Sequence, residues 1–408
     1  RVEVAAMENR KAYLVKVMAS DGDVLDEALL TPFEGPRSFT GENVVEFACH
    51  GGVLVTRRVL GRLLEAGCRT AEAGEFSHRA FENGKLDLTQ AEAIMDLISA
   101  QTDMALRAAH EQLQGKLGDQ SEALRENLLG VVAHVEAYID FPDEDIDPDT
   151  GAAMLKRVAD VREGIARMLS TAEQGRILRE GVRTVICGEP NVGKSSLLNG
   201  LLGYERAIVS DIEGTTRDTV EEVVNVKGIP VRLIDTAGVR DSSDLIEKQG
   251  IVRSEKQIEL ADLILEVVDG SKPGQRLLTQ EQIAGRHHML IINKTDIGQH
   301  DAWKDVSGVR VSCQAEDGLD KLADAISDEL HLSESAWGGH AIAINARHQD
   351  CLKKAEESLA SASEMLMSGE GVEFASIDLR EVLNGQAIVK AFIFNMMIMP
   401  FEKSPTQI

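Results

Sequence analysis

Gly188-Glu189-Pro190-Asn191-Val192-Gly193-Lys194-Ser195 decides how this chain is read. The stretch matches GxxxxGK(S/T), follows the apolar pair Val185-Ile186 and runs into Ser196-Leu197-Leu198. That is the strand, loop and helix context a phosphate-binding loop needs. Its glycines let backbone N–H groups close on an anion at a helix N-terminus. Lys194 is placed to reach β and γ phosphates, and the Ser195 hydroxyl to bind Mg²⁺.

Further motifs follow in order. Asp235-Thr236-Ala237-Gly238 ends the apolar run Val231 to Ile234. Asp235 is expected behind the metal's direct ligands, and the Gly238 amide beside the γ phosphate. Gly214-Thr215-Thr216-Arg217-Asp218 supplies a switch threonine of the kind that closes over Mg²⁺. Asn293-Lys294-Thr295-Asp296 follows Met289 to Ile292 and selects the base. A carboxylate at Asp296 accepts two hydrogen bonds from guanine's ring N–H and amino group, a donor pair that adenine lacks. Ser312-Cys313-Gln314, after Val309 to Val311, takes the place of the last base-supporting loop. Together these predict GTP as the nucleotide. Val239 stands where Ras-like proteins keep a water-orienting glutamine, so that group must come from elsewhere. The Asn191 amide oxygen could hold a monovalent cation against the phosphates.

From Thr184 onward, strand-like runs alternate with helical ones, which predicts a mainly parallel sheet covered on both faces. Residues 1–84 mix strand-like Tyr13 to Met18 with the turn signals Glu34-Gly35-Pro36 and His50-Gly51-Gly52, and read as a small α/β domain. Helical patterns follow: Thr89-x-x-Glu92 reads as a capping box, and Leu124, Leu128, Val131 and Val135 line one face. Helical spacing returns at Leu352, Ala355 and Leu359, so the sheet segment reads as an insertion into one helical domain. The fold class expected is α/β multidomain, with an N-terminal domain at 1–84, helical parts at 85–180 and 336–408, and a nucleotide domain at 181–335.

The 408 residues suffice for two or three domains with their own cores. Apolar content of 43% places the chain among soluble globular proteins. A net charge of -25 argues against coating nucleic acid through a general basic surface. Arg57, Arg58 and Arg62 read as a solvated helix face. The five cysteines, Cys49, Cys68, Cys187, Cys313 and Cys351, are scattered as free thiols would be in a reducing, cytoplasmic setting. No secretory signal is visible. The apolar run Ala387 to Phe401 is interrupted by Lys390 and Asn395 and is shorter than the roughly 20 residues of a membrane span, so no membrane contact is expected.

Beyond the nucleotide motifs the chain resembles the tRNA modification GTPase MnmE (TrmE) family. The likeness is carried by Phe39-Thr40-Gly41-Glu42, His50-Gly51-Gly52, Gly74-Glu75-Phe76-Ser77-His78-Arg79-Ala80-Phe81, Asn83-Gly84-Lys85-Leu86-Asp87-Leu88, Ile139-Asp140-Phe141-Pro142 and Asn345-x-Arg347-His348. It implies a tetrahydrofolate-binding, dimerising N-terminal domain, a split helical domain and an inserted G domain. It also implies potassium-stimulated hydrolysis through transient pairing of two G domains. K⁺ would be held by Asn191, Ser210, Ile212 and Thr215, Mg²⁺ by Ser195 and Thr216, and the attacking water by Glu247, with Lys194 and Asn191 completing the catalytic set. GTP contacts are expected from Asn191, Val192, Gly193, Lys194, Ser195 and Ser196, and from Ser210, Asp211, Ile212, Glu213, Gly214, Thr215 and Thr216. Asp235, Thr236, Ala237, Gly238, Asn293, Lys294, Asp296, Ser312, Cys313 and Gln314 complete that set. Glu46 and Lys85 match the family's pocket for a one-carbon folate such as 5-formyltetrahydrofolate.

The reaction implied is addition of a carboxymethylaminomethyl group at C5 of the tRNA wobble uridine. A homodimer would work with an FAD-binding MnmG (GidA)-type protein as a heterotetramer. The family's opening strand, with its folate-contacting arginine, is not seen ahead of Arg1, and the pattern is left after about Leu383 without the family's terminal Cys-x-Gly-Lys. Two other readings stay open: a GTP-switched ribosome-assembly factor, and a paralogue that hydrolyses GTP without modifying tRNA.

Overall fold

The computed structural model describes residues 4–140, 149–204, 222–234, 257–314, 316–330, 344–368 and 372–390. They fall into two compact units, one reaching Ile94 and one running from Met95 to Val389.

The first unit is built on an antiparallel sheet of β1 (Tyr13–Met18), β2 (Val24–Phe33) and β3 (Val44–Ala48), in the order β1-β2-β3. Alternation along β2 puts Ala28 and Leu30 on the buried face. Helices α1 (Val53–Glu65), α2 (Glu75–Glu82) and α3 (Leu88–Ser99) follow. Gly74, at φ 78, supplies the left-handed turn that starts α2. The capping box expected at Thr89 and Glu92 sits two residues earlier. Asp87 Oδ1 accepts from the Gln90 amide at 2.8 Å, and Gln90 Oε1 from the Asp87 amide at 2.9 Å. Thr89 is instead buried inside the first turn, its hydroxyl donating to Asp87 Oδ1. Aspartate caps as well as threonine does, and a buried threonine suits that turn.

The second unit opens with α4 (Asp103–Leu113), α5 (Lys116–Asp140), α6 (Asp149–Ser170) and α7 (Ala172–Glu180). The sheet segment follows as β4 (Val182–Cys187), α8 (Lys194–Tyr204), β5 (Glu222–Val226), β6 (Ile229–Leu233), β7 (Leu263–Asp269), α9 (Gln280–Ile283), β8 (His287–Asn293), β9 (Val309–Arg310) and α10 (Glu316–Glu329). Two long helices, α11 (Ala346–Ser368) and α12 (Val372–Lys390), come last.

The six strands lie in the order β5-β6-β4-β7-β8-β9. All neighbours are parallel except β5 and β6. That edge hairpin was not legible as two strands because its turn is short. Lys227 at φ 51 and Gly228 at φ 86 reverse the chain, and Asn225 Oδ1 accepts the Gly228 amide. The inner strands read as unbroken apolar runs because both faces are covered. One face joins Ile186, Leu265, Val267 and Ile291 to α8 and α10; the other joins Val185, Ile264 and Ile258, with Val268, Leu290 and Ile292 packing on Trp303.

A second core draws Leu128, Val131 and Val135 of α5 and Val161 and Ile165 of α6 together with Leu352, Ala355 and Leu359 of α11 and Leu379 of α12. Helices from both sides of the sheet segment therefore share one apolar interior. No helix among the described residues is long and apolar enough to cross a membrane.

Candidate nucleotide site

With the inner strands parallel, the loops that leave β4, β7, β8 and β9 emerge at one edge of the sheet, where ligands of such folds bind. The loop after β4 is the phosphate-loop sequence. Gly188, at φ 148, has no room for a side chain: a Cβ there would lie 2.2 Å from the Val267 carbonyl oxygen. Asn191 adopts a left-handed φ of 63 and is exposed. Gly193, at φ 102, brings the backbone so near β8 that a Cβ would sit 2.2 Å from Asn293 Nδ2. α8 then starts at Lys194, so the positive end of its dipole lies at the loop. The Lys194 ammonium spans the loop, donating to the Gly188 oxygen at 2.8 Å and the Glu189 oxygen at 2.7 Å. Burial lowers its pKa, which a neighbouring anion would offset. Ser195 is half-buried in the first turn, and Ser196 is exposed.

The base-side loop is tied directly to the phosphate loop. Asn293, 2% exposed, donates from Nδ2 to the Val192 oxygen at 2.9 Å. Its Oδ1 accepts from the Cys313 amide at 3.4 Å and the Cys313 thiol at 3.3 Å. Burial raises the Cys313 pKa, with the Asn293 hydrogen bond pulling the other way. Lys294 turns through a left-handed φ of 64 and donates to the Asn191 oxygen and to Asp269 Oδ2, each at 2.7 Å. The Thr295 hydroxyl donates to the Val311 oxygen at 3.0 Å, and Ser312 Oγ accepts the Gln314 amide at 3.3 Å. Asp296 remains exposed at the end of this loop. Asn293 and Lys294 thus meet residues 192 and 191 directly, and Cys313 joins them through Asn293.

Ser210, Asp211, Ile212, Glu213, Gly214, Thr215, Thr216, Asp235, Thr236, Ala237, Gly238 and Glu247 lie outside the described residues. Among the described residues no cluster of three or more metal-type side chains occurs.

In the first unit, the segments 39–42, 74–81 and 83–88 converge. Asn83 Nδ2 donates to the Thr40 oxygen at 2.8 Å and Lys85 Nζ to the Pro36 oxygen at 3.0 Å. Arg79 bridges Glu42 Oε2 at 2.9 Å and Glu75 Oε1 at 2.6 Å, and Arg69 holds Glu75 from the other side. The hydrogen bonds from Arg69, the Glu72 amide and Arg79 hold the Glu75 carboxyl far below its usual range. This Arg69–Glu75–Arg79–Glu42 chain was not legible in the sequence because Glu42 lies 37 residues before Arg79, the partner it meets only in the fold. Glu46 sits on β3 opposite Thr31 and is exposed.

A parallel sheet with this phosphate loop and a guanine-type base loop defines a P-loop GTPase, here joined to an antiparallel N-terminal unit and a helical core. Residues 2–85 match the family model described as GTP-binding protein TrmE N-terminus, and residues 88–387 match that of the MnmE helical domain. The chain is 52% identical to the tRNA modification GTPase MnmE of Akkermansia muciniphila, over 92% of this chain and 83% of that one. It is 44% identical to the protein of the same name from Aquifex aeolicus, over 91% and 84%. The chain therefore belongs to the MnmE family, and is a GTP-hydrolysing enzyme of tRNA modification. Among solved structures, the FeoB G-domain of Methanococcus jannaschii matches at 25% identity over 37% of this chain and 98% of that one, with a TM-score of 0.27.

Proposed function

We propose that this chain is a potassium-stimulated GTP hydrolase that acts, with an FAD-dependent MnmG-type partner, to place a carboxymethylaminomethyl group at C5 of the tRNA wobble uridine. The observation that carries the potassium part is Asn191. It is exposed in the phosphate loop, and its carbonyl is fixed by Lys294 at 2.7 Å, so the residue is held where its amide oxygen can face a cation beside the phosphates. Ser210, Ile212 and Thr215 would complete that shell, and Glu247 would orient the attacking water.

Lys194 would exchange its bonds to the Gly188 and Glu189 oxygens for bonds to phosphate oxygens. Ser195, in the first turn of α8, offers the hydroxyl that would hold Mg²⁺ with Thr216. The two cations would supply positive charge against the phosphates, and this chain's own residues would position the nucleotide and exclude competing geometry. Asp235, Thr236, Ala237 and Gly238 would sense the γ phosphate, and Asp296 would read guanine.

In the N-terminal unit, the exposed Glu46 offers a carboxylate to the N–H donors of a pterin, and Lys85 offers a cation beside the Pro36–Gly41 turn. These fit a one-carbon folate such as 5-formyltetrahydrofolate. Domain bounds near 84, 180 and 335, a homodimer, and a heterotetramer with the flavoprotein belong to the same reading.

The test is GTP hydrolysis at matched ionic strength in K⁺ and in Na⁺, on the wild type and on Glu247→Ala. The reading expects strong acceleration by K⁺ alone, lost in the variant. Equal rates in both salts with a silent Glu247 would sink it and favour a GTP-switched assembly factor.

A further inference from the structure

Asp269 ends β7 directly opposite Asn293 of β8 in the sheet register. Its two carboxylate oxygens are divided between two tasks. Oδ1 accepts the Ser271 amide at 3.1 Å and the Ser271 hydroxyl at 2.6 Å, which closes the turn and fixes the plane of the carboxylate. Oδ2 is thereby aimed at Lys294 Nζ, 2.7 Å away. The same ammonium donates to the Asn191 oxygen of the phosphate loop, also at 2.7 Å. Asp269 is only 11% exposed in its side chain and Lys294 29%, so water screens this pair weakly.

Three further features hold the arrangement. The next amide, Gly270, donates to the Asn293 oxygen at 2.8 Å. Gly270 itself has no space for a side chain, since a Cβ would meet Ile292 Cγ2 at 2.8 Å and the Asn293 oxygen at 2.9 Å. Lys294 needs its left-handed backbone at φ 64 to send the side chain back toward the phosphate loop. A four-carbon lysine stem is otherwise free to sweep several rotamers, and a single neutral carbonyl is a weak anchor for it. A carboxylate held rigidly by Ser271 is a strong one.

We propose that Asp269 is a positioning residue of the nucleotide site: by anchoring the Lys294 ammonium it locks the base-reading loop to the phosphate loop and so slows nucleotide release. It rests on the guanine-nucleotide site described above, and it acts through Lys294 alone. Burial pulls the Asp269 carboxyl upward, but the Lys294 and Ser271 hydrogen bonds hold it below its usual value, so the anchor stays charged at neutral pH.

The experiment is a double-mutant cycle read by the dissociation rate of a fluorescent GDP from the full chain. Asp269→Asn keeps an oxygen for Ser271 but can turn an NH₂ toward Lys294, removing the charge with little change of shape. We expect it to speed GDP release by roughly tenfold, the scale of one charge-assisted hydrogen bond. In a Lys294→Met background the same change should add less than about twofold. Ser271→Ala, which keeps the charge but frees the carboxylate, should fall between, at about two- to threefold. Normal release from Asp269→Asn while Lys294→Met releases fast would overturn the proposal and leave the site intact. An equal factor in both backgrounds would also overturn it, by assigning Asp269 a general structural role. Unchanged release from Lys294→Met would instead count against the nucleotide site itself. The thermal midpoint of the nucleotide-free variants controls for folding, since a site-specific role should barely move it.

Discussion

Asn293 Nδ2 lies 2.9 Å from the Val192 carbonyl oxygen, 101 residues earlier in the chain. One buried amide thus staples the loop that reads the base to the loop that holds the phosphates, and its other end holds Cys313.

Replacing Asn293 by alanine should leave the Val192 carbonyl and the Cys313 amide without their partner. Orphaned groups of this kind cost about 1–3 kcal/mol of stability, and with the two loops no longer tied together GDP and GTP should both bind about tenfold more weakly. Titration calorimetry checks this, and unchanged affinity would show that the staple is dispensable.

Asp296→Asn should change the base rather than the affinity for phosphates. An amide pairs one donor and one acceptor, which suits xanthine's carbonyl and N–H, whereas guanine presents two donors. GTP affinity should fall by about a hundredfold or more while XTP gains, since a site built to pair polar groups rejects a mismatch strongly. Competition between the two nucleotides reads the switch.

Glu266 is buried on β7, where it accepts the Leu277 amide at 2.5 Å and pairs with His288 Nε2 at 2.8 Å. Burial pushes its pKa up, but the hydrogen bonds from His288 and the Leu277 and Leu278 amides outweigh this and hold it below its usual value. A carboxyl depressed in the folded state gives stability that is full above its unfolded value and lost as pH falls through the folded one. Wild-type stability should therefore drop on acidification below about pH 4.5 more steeply than that of Glu266→Gln. At neutral pH the variant should be weaker by about 1–3 kcal/mol. Urea melts at several pH values give both numbers; parallel curves would remove Glu266 from the account.

Glu75→Gln should weaken the N-terminal unit alone. It removes the charge that holds Arg69 and Arg79 together, and leaves Arg79 with Glu42 alone as its carboxylate partner. Hydrogen exchange in residues 34–43 and 69–82 should rise while GTP binding is unchanged. Protection equal to wild type would make the network ornamental to stability.

By itself the sequence determined the nucleotide class and the sheet. The phosphate loop needs a fixed spacing of glycines, lysine and serine, and inner strands buried on both faces are mostly apolar, so Leu263 to Val268, Glu266 apart, and Met289 to Ile292 could be read locally. The heptad-like spacing of Leu128, Val131 and Val135 revealed a buried helix face for the same reason. Tertiary structure alone decided which partner each polar group takes. It moved the α3 cap from Thr89 to Asp87, paired β5 with β6 through a two-residue turn, brought Glu75 between two arginines, and set Asp269 against Lys294. Periodicity reports which residues leave water, because burial is a property of a face. Hydrogen bonds depend on distances between atoms remote in the chain, and only the closed fold fixes those.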